Sequence, residues 1–534
     1  MQEIKELVSL TDVEKLQAEG LWLFLFEPGS KMEQFCLAVH TNAIKTDTEA
    51  LNLLYGGKKS GNKYYNLKER LKERLTFAIT LLESKKKSFS SRQSAFFECN
   101  RKWSAAMVLL SKQSRTAAIG QLESLVPQII YYEFTELTVS ITSLLRVFYG
   151  TINGNQEKYL KYHKIHEQYQ QVWLYENEVE AVYAELLRHY LGTRASTTTL
   201  KQKAWEAFEK IRPILAACPA FKVQLLGRLI ELKVHEGDYR ATADLCEAAI
   251  AFFQTKPYDS RLPLQAFYYN LIGAYIQLKE FEKGRNTITS YQSVAEEGSF
   301  NWFKLQELFF QLAIHTGNYD SALTVFANVK KHLRSDWLPL QTAEIWKIYE
   351  AYIYYLVLVG KIANAGAINQ VGFKSGKFLN EIPTFSRDKS GMNIPILIIQ
   401  ILIMIARKEY TAAIDRVEAI EKYCSRYLKK GDETFRSNCF IKMLLQIPAF
   451  GFHREAVVRN TKHLRDQLHL VPLGASGQAH EIEIIPYETL WELAVNTLEN
   501  RLVRQRKPRE RKQLPPVPLI ASRNDAPLRG NMEA

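Results

Sequence analysis

One short grammar returns along this chain at intervals near 41 residues: an apolar helical stretch, a short polar turn ending in an aromatic, and a small residue three places later. It is clearest in four segments: Ile230 to Tyr239, with Gly237 and Asp238 in the turn; Leu271 to Phe281, followed by Gly284; Gly317-Asn318-Tyr319, followed by Ala322 and Phe326; and Lys408-Glu409-Tyr410, followed by Ala413. Degenerate copies lie at Gly360-Lys361-Ile362, followed by Ala365, and at Gly451-Phe452-His453, followed by Ala456. With Tyr239, Phe281, Tyr319, Ile362, Tyr410 and His453 as anchors, the gaps are 42, 38, 43, 48 and 43 residues. The copy at Tyr239 is the least regular, with Thr242 at the small position. A period of this length points to stacked supersecondary units. A chain of 534 residues needs some such solution, because single cores stop growing at roughly 250–300 residues.

The same register extends upstream. Thr116-Ala117-Ala118-Ile119 repeats Thr411-Ala412-Ala413-Ile414, and Arg115 lies 124 residues before Tyr239, three steps of about 41. The first step lands on Gly154-Asn155-Gln156, a turn between helical patterns, and the second on Thr197-Thr198-Thr199, read as an inter-helix loop. About nine units follow, from roughly residue 90 to 470. The physical logic is that of a helical hairpin. A residue tolerant of left-handed backbone ends the first helix, hence Gly237 and Gly317. The aromatic covers the open end of the pair, and the small residue lets backbones approach. Leu271, Ala274, Tyr275 and Leu278 form one apolar stripe at i, i+3, i+4, i+7, which only stacked neighbours can bury. The fold class expected is all-α, an α-solenoid of stacked antiparallel helical hairpins.

The grammar resembles the tetratricopeptide repeat, best over 264–330 and more loosely over 222–460. Consensus units of that family run about 34 residues and these run nearer 41, a length that HEAT-like units also have. The Gly-Asp/Asn-Tyr turn favours the tetratricopeptide-like reading. A second resemblance covers Phe373 to Leu402, with Leu53-Leu54-Tyr55-Gly56-Gly57 and Tyr65 to Leu71 near the amino terminus. These stretches look like ones common in helical-repeat proteins of Bacteroidota. That resemblance implies a fold and a bacterial source, and carries no activity.

Three segments are expected: residues 1–88 as an amino-terminal helical cap, 89–499 as the repeat solenoid, and 500–534 as a basic, proline-containing flexible tail. In the first, Leu67, Leu71, Leu75, Ile79 and Leu82 make an amphipathic stripe with Asn66 as a suitable N-cap. The following Lys85-Lys86-Lys87 reads as a solvated basic helix end. The net charge is +13, but the tail carries nine Lys/Arg against three Asp/Glu, so the body is only mildly basic. Leu514 to Leu519 adds a minimal P-x-x-P at Pro515 and Pro518, with a fold-back cap on the last hairpin as the other reading. Six cysteines (Cys36, Cys99, Cys218, Cys246, Cys424, Cys439) are scattered without a C-x-x-C pair, as free thiols of a reducing compartment would be. Met1 to Gly20 has no signal-peptide pattern, and the longest apolar run, Ile394 to Ala406, is 13 residues. A membrane span needs about 20, so a buried helix and a cytoplasmic protein are expected.

Motifs that carry chemistry are few and incomplete. Gly56 to Gly61 has the letters of a phosphate loop without its spacing. His163 and His166, with Glu167, share a helix face, but zinc wants three or four ligands and no further group lies at a familiar spacing. No G-x-S-x-G, H-E-x-x-H or Ca-loop pattern occurs. No catalytic residue, metal site or cofactor is expected, and the chain reads as a non-enzymatic scaffold or adaptor for a peptide or helix partner. The resemblance to tetratricopeptide stacks implies that first helices line a concave face. Alignment on the anchors puts Gln224, Glu231 and His235 there, then Tyr269 and Gln277, then Lys304, Glu307, Gln311 and His315. The alternative is a nucleic-acid- or ribosome-associated protein using Arg501, Arg504, Arg506, Lys507, Arg509, Arg511 and Lys512, although that run lacks interleaved aromatics.

Overall fold

The computed structural model describes residues 1–11, 13–18, 20–56, 61–82, 91–192, 197–292, 297–333, 338–363, 376, 378, 393–427, 435–473 and 482–500. About 83% of them are helical, in 23 α-helices and one π-helical turn, and no strand occurs among them. The all-α class follows from the apolar periodicity. The chain divides into two compact units, Met1–Leu312 and Ala313–Ala534, the division falling inside one helix.

The first unit opens with α1 (Gln2–Leu10), α2 (Val13–Ala18), α3 (Leu21–Leu25), α4 (Lys31–His40), α5 (Asp47–Tyr55) and α6 (Gly61–Leu82). Their buried residues from Ile4 to Ala78 form one hydrophobic cluster of their own. Leu71 and Leu75 of the expected stripe are fully buried in it, with Leu67 packed against its edge. Asn66 is not an N-cap: α6 begins at Gly61, because Tyr64 is buried against the ring of Phe35 and donates to Asp47. Lys85 to Lys87 and residues 57–60 of the glycine-lysine stretch lie outside the described residues.

The unit continues through α7 (Ser91–Ser111), α8 (Arg115–Tyr131), α9 (Thr135–Val147), a π-turn (Phe148–Asn153), α10 (Gln156–Gly192), α11 (Thr197–Ala217), α12 (Phe221–Val234), α13 (Tyr239–Gln254), α14 (Arg261–Leu278), α15 (Phe281–Gln292) and the greater part of α16 (Phe300–His315). Helices neighbouring in sequence pack together: α7 on α8, α8 on α9, α9 on α10, α11 on α12, α13 on α14, α14 on α15. The turn residues are in left-handed conformation two places ahead of the helix starts: Gln113 (φ 61°) before Arg115, Gly154 (70°) before Gln156, Gly237 (88°) before Tyr239 and Lys279 (58°) before Phe281. At the small position, Gly284 is buried, and a Cβ there would lie 2.5 Å from Cδ2 of Leu312. The close neighbour is therefore a side chain of α16, the following helix.

Two departures stand out in this unit. Thr197 to Thr199 open α11 and are not a loop, and α10 runs unbroken for 37 residues, about 55 Å at 1.5 Å per residue. Gln156 to Leu191 contains neither Gly nor Pro, so nothing stops the helix where the period calls for a second hairpin. A further left-handed turn occurs at Glu133 (φ 55°), between Tyr132 and Phe134. Its carboxylate accepts from Phe221 N (2.8 Å), Lys256 Nζ (2.5 Å) and Tyr258 OH (2.9 Å). Arg92 seals the junction. Its Nε donates to Tyr132 O (2.9 Å) and its guanidinium lies 4.2 Å from the centroid of Phe221. This clamp joins segments about 88 to 125 residues apart, so the α8–α9 turn packs on the starts of α12 and α14 rather than on chain neighbours alone.

The second unit holds α17 (Tyr319–Lys330), α18 (Leu340–Leu358), α19 (Asn393–Ala406), α20 (Tyr410–Tyr427), α21 (Phe435–Ala449), α22 (Arg454–Leu470) and α23 (Tyr487–Asn496). Gly317 (φ 75°) precedes Tyr319 and Lys408 (60°) precedes Tyr410 by two places, and Phe452 (59°) precedes Arg454 likewise. Gly360 (72°) is left-handed too, while Ala365 is outside the described residues. Ala322 and Ala413 are buried at the small positions. The apolar run forms α19, buried on every side from Ile394 to Ile405, as a helix without a polar face must be. Among the described residues no helix is long and apolar enough to cross a membrane. Cys36, Cys99, Cys218, Cys246 and Cys439 are free and buried.

Candidate functional site

The nine residues assigned to a concave wall separate by burial. Gln224, Glu307, Gln311 and His315 are each less than 9% exposed, whereas Glu231, His235, Tyr269, Gln277 and Lys304 are half-buried. Gln224 serves the fold, since its Nε2 donates to Leu215 O (2.8 Å) and Cys218 O (2.9 Å) and closes carbonyls at the end of α11. Tyr269 donates from its hydroxyl to Asn301 O (3.0 Å) and packs edge-on to Tyr291, tying α14 to the start of α16. Lys304 and Glu307 pair at 2.7 Å on α16. Burial pushes the Glu231 carboxyl above the usual range, against the pull of His235 and Arg228. Of the nine, the half-buried five are the ones with surface open to solvent. The seven basic tail residues, Arg501 to Lys512, lie outside the described residues.

A different site lies where α9 meets α10. The π-turn widens the backbone and, with Gly154 reversing the chain, opens a cleft of about 550 Å3 lined by Arg146, Gly150, Gln156, Tyr159 and His163 among others. Single π-turns of this kind are frequent at functional sites. The ring of Tyr159 lies over Gly150, where a Cβ would sit 2.9 Å from its Cδ2. The same ring stacks on His163 at 5.5 Å and 9°. His163 Nε2 is 3.5 Å from Glu167, while its Nδ1 is buried with no described partner.

The packing of α9 and α10 beyond the cleft includes buried polar contacts. Glu123 accepts from Tyr149 OH (2.9 Å), Tyr162 OH (3.0 Å) and Lys158 Nζ (2.9 Å) through one oxygen. Burial opposes ionisation of Glu123, but these donors outweigh it and hold its carboxyl below the usual range. Thr135, Thr138 and Thr142 form a buried stripe on α9. Thr135 donates to Glu176 Oε1 (2.8 Å), and Thr142 Oγ1 lies 3.3 Å from His166 Nδ1. Burial, and then the charge of Arg146, hold His166 below the ordinary imidazole value.

The two histidines therefore part ways: His163 borders the cleft and His166 is buried in the helix interface. Among the described residues no group of three His, Cys, Asp or Glu could hold a metal ion. The glycines of Tyr149-Gly150-Thr151-Ile152-Asn153-Gly154 were the available sequence signal for the cleft, and only the turn at Gly154 was read from them. No protein-family model, no curated protein and no solved structure matches the chain.

Proposed function

We propose that this chain is a non-enzymatic interaction scaffold, a solenoid of tetratricopeptide-like hairpins that holds a peptide or helix of another protein. The supporting observation is the recurrence of one local geometry: a left-handed residue two places before a helix start at Arg115, Gln156, Tyr239, Phe281, Tyr319 and Tyr410. Repeated hairpins offer successive equivalent positions along one side, the arrangement suited to an extended ligand. Glu231, Gln277 and Lys304 come from three successive first helices and are the half-buried polar candidates for contact.

The test has two parts. Small-angle scattering of the full chain in solution must give an elongated particle; a radius of gyration near the roughly 24 Å expected for a compact domain of this length would sink the solenoid. Capture from an extract of a Bacteroidota species, followed by binding measurements with the purified partner, tests the wall. A Glu231→Ala, Gln277→Ala, Lys304→Ala triple variant should lose at least about tenfold in affinity with an unchanged melting temperature. Unchanged affinity places the partner elsewhere.

A further inference from the structure

Arg146 is a charge in the cleft lining that the fold leaves unpaired. It is half-buried at the end of α9, yet it makes no ion pair or hydrogen bond with any described residue. Its donors are open to solvent at the cleft, where an incoming planar acceptor can replace water. The basic residues around it are engaged: Lys158 is taken by Glu123 and Tyr149, and His163 leans toward Glu167. No Asp or Glu is among the residues that line the cleft. Burial first, and then the charge of Arg146, lowers the proton affinity of the neighbouring His166.

The surroundings add polarity of the same sign. The first turn of the 37-residue α10 opens at Gln156 on the cleft rim, and its unpaired amides carry partial positive charge. Asn155 Oδ1 already accepts from Lys158 N (2.9 Å), so the earlier amides of that turn are the ones left. The side chain of Gln156 has no described partner and supplies a further donor. Beside this polar centre the cleft lining offers Val147, an apolar side chain 54% exposed, and the ring of Tyr159.

We propose that the cleft between α9 and α10 is a carboxylate-binding subsite, in which Arg146 takes a carboxylate group attached to an apolar body. One planar guanidinium fork matches one planar monoanion in a bidentate pair. A phosphate dianion fits less well, because the lining has one permanent positive charge, contains no lysine, and has Glu167 behind His163. Val147 and the ring of Tyr159 cover the apolar remainder of the ligand. The same chemistry is offered by a free aromatic or aliphatic acid and by the carboxyl terminus of a peptide ending in apolar residues. The subsite stands independently of the scaffold reading, since its carrying observation is the unpaired Arg146.

Saturation-transfer NMR on the full chain tests it with benzoate, benzamide, phenyl phosphate, and N-acetyl-Leu-Phe as the free acid and as the amide. Benzoate should bind with a dissociation constant of about 1 mM, and benzamide at least about tenfold more weakly. Arg146→Gln should lose benzoate binding, and Arg146→Lys should keep part of it, both with unchanged melting temperature. Gly150→Ala, which drives a Cβ into the Tyr159 ring, should weaken binding through the shape of the cleft. Tighter binding of the dipeptide acid than of benzoate identifies a peptide terminus as the natural source, and the reverse identifies a free acid. Three results overturn the proposal: benzoate binding unaffected by Arg146→Gln, benzamide bound as well as benzoate, or phenyl phosphate bound tenfold more tightly than either acid.

Discussion

Arg436 and Glu483 face each other with both side chains 0% exposed, joined by Nε to Oε2 at 3.0 Å and Nη2 to Oε1 at 2.6 Å. The remaining donors of Arg436 are also used. Nη1 reaches Leu468 O (3.1 Å) and Val471 O (2.6 Å), and Nη2 reaches Glu488 Oε2 (2.8 Å). Glu483 Oε1 in turn accepts from Tyr487 N (2.7 Å). Burial alone would lower the proton affinity of Arg436; the two carboxylates outweigh it, and the guanidinium stays charged. The first turn of α21, the end of α22 and the start of α23 are thus held by one ion.

Removing one half of this pair leaves a buried charge without compensation. Arg436→Met is expected to destabilise the second unit by about 3–5 kcal/mol, whereas Arg436→Met with Glu483→Met should cost clearly less. Denaturant unfolding of the two variants checks this, and equal costs would show that Glu483 finds another partner.

The helix contacts at the small positions are tight enough to register single methyl groups. Gly284→Ala places a Cβ 2.5 Å from Leu312 Cδ2, and Ala322→Leu adds three carbons at a fully buried position. Each is expected to lower stability by about 1–3 kcal/mol through overpacking. A melting temperature equal to wild type for Gly284→Ala would mean that Leu312 has a second rotamer available.

Acid should act on the amino-terminal module through Asp47. It accepts from Lys68 Nζ (2.7 Å) and Tyr64 OH (2.6 Å). Burial raises its proton affinity, but those donors prevail and bring the pKa from 3.8 to about 2. A carboxylate depressed in the folded state contributes stability above its unfolded value, and that contribution fades as pH falls through the folded one. The difference in melting temperature between wild type and Asp47→Asn should therefore be full at about pH 5–7 and vanish near about pH 2. A difference that persists at the acid end would assign the effect to shape rather than charge. Asp47 remains about half exposed, so the effect is modest.

What could be read from the letters was the local geometry of turns. Gly237 and Gly317 announced left-handed helix ends, and Lys279 and Lys408 were found only because an aromatic and a small residue followed them at fixed distance. Glu133 has no glycine to mark it and is followed by Phe134, so its turn was invisible, and its three acceptor contacts depend on residues about 88 to 125 places away. The long α10 failed for the opposite reason: the period was interpolated across a stretch that lacks any breaking residue. In the binding wall, sequence places a polar residue on a helix but does not say whether a carbonyl waits beside it. Gln224 looked like surface because it is a glutamine, and it is interior because two carbonyls of the α11 end need its amide.

The basic tail, residues 501–534, lies outside the described residues. Arg501 to Gln513 is dominated by polar and basic residues, and Pro508, Pro515, Pro516 and Pro518 oppose helix formation. Few apolar groups there can offset the entropy of ordering. The cut that tests this belongs after Asn500, because the residues just before it are in use. Glu499 O accepts from Arg454 N (3.1 Å), its side chain pairs with Lys408, and Asn500 Nδ2 donates to Glu455 Oε1 (2.9 Å). A chain ending at Asn500 is expected to melt at the wild-type temperature and to lose binding to a single-stranded RNA homopolymer at low salt. Seven basic residues within twelve positions give that binding a steep salt dependence in the full chain. A melting temperature lowered by several degrees, or aggregation on truncation, would instead assign Leu514 to Ile520 the role of covering the last helices, where an apolar face would otherwise meet water.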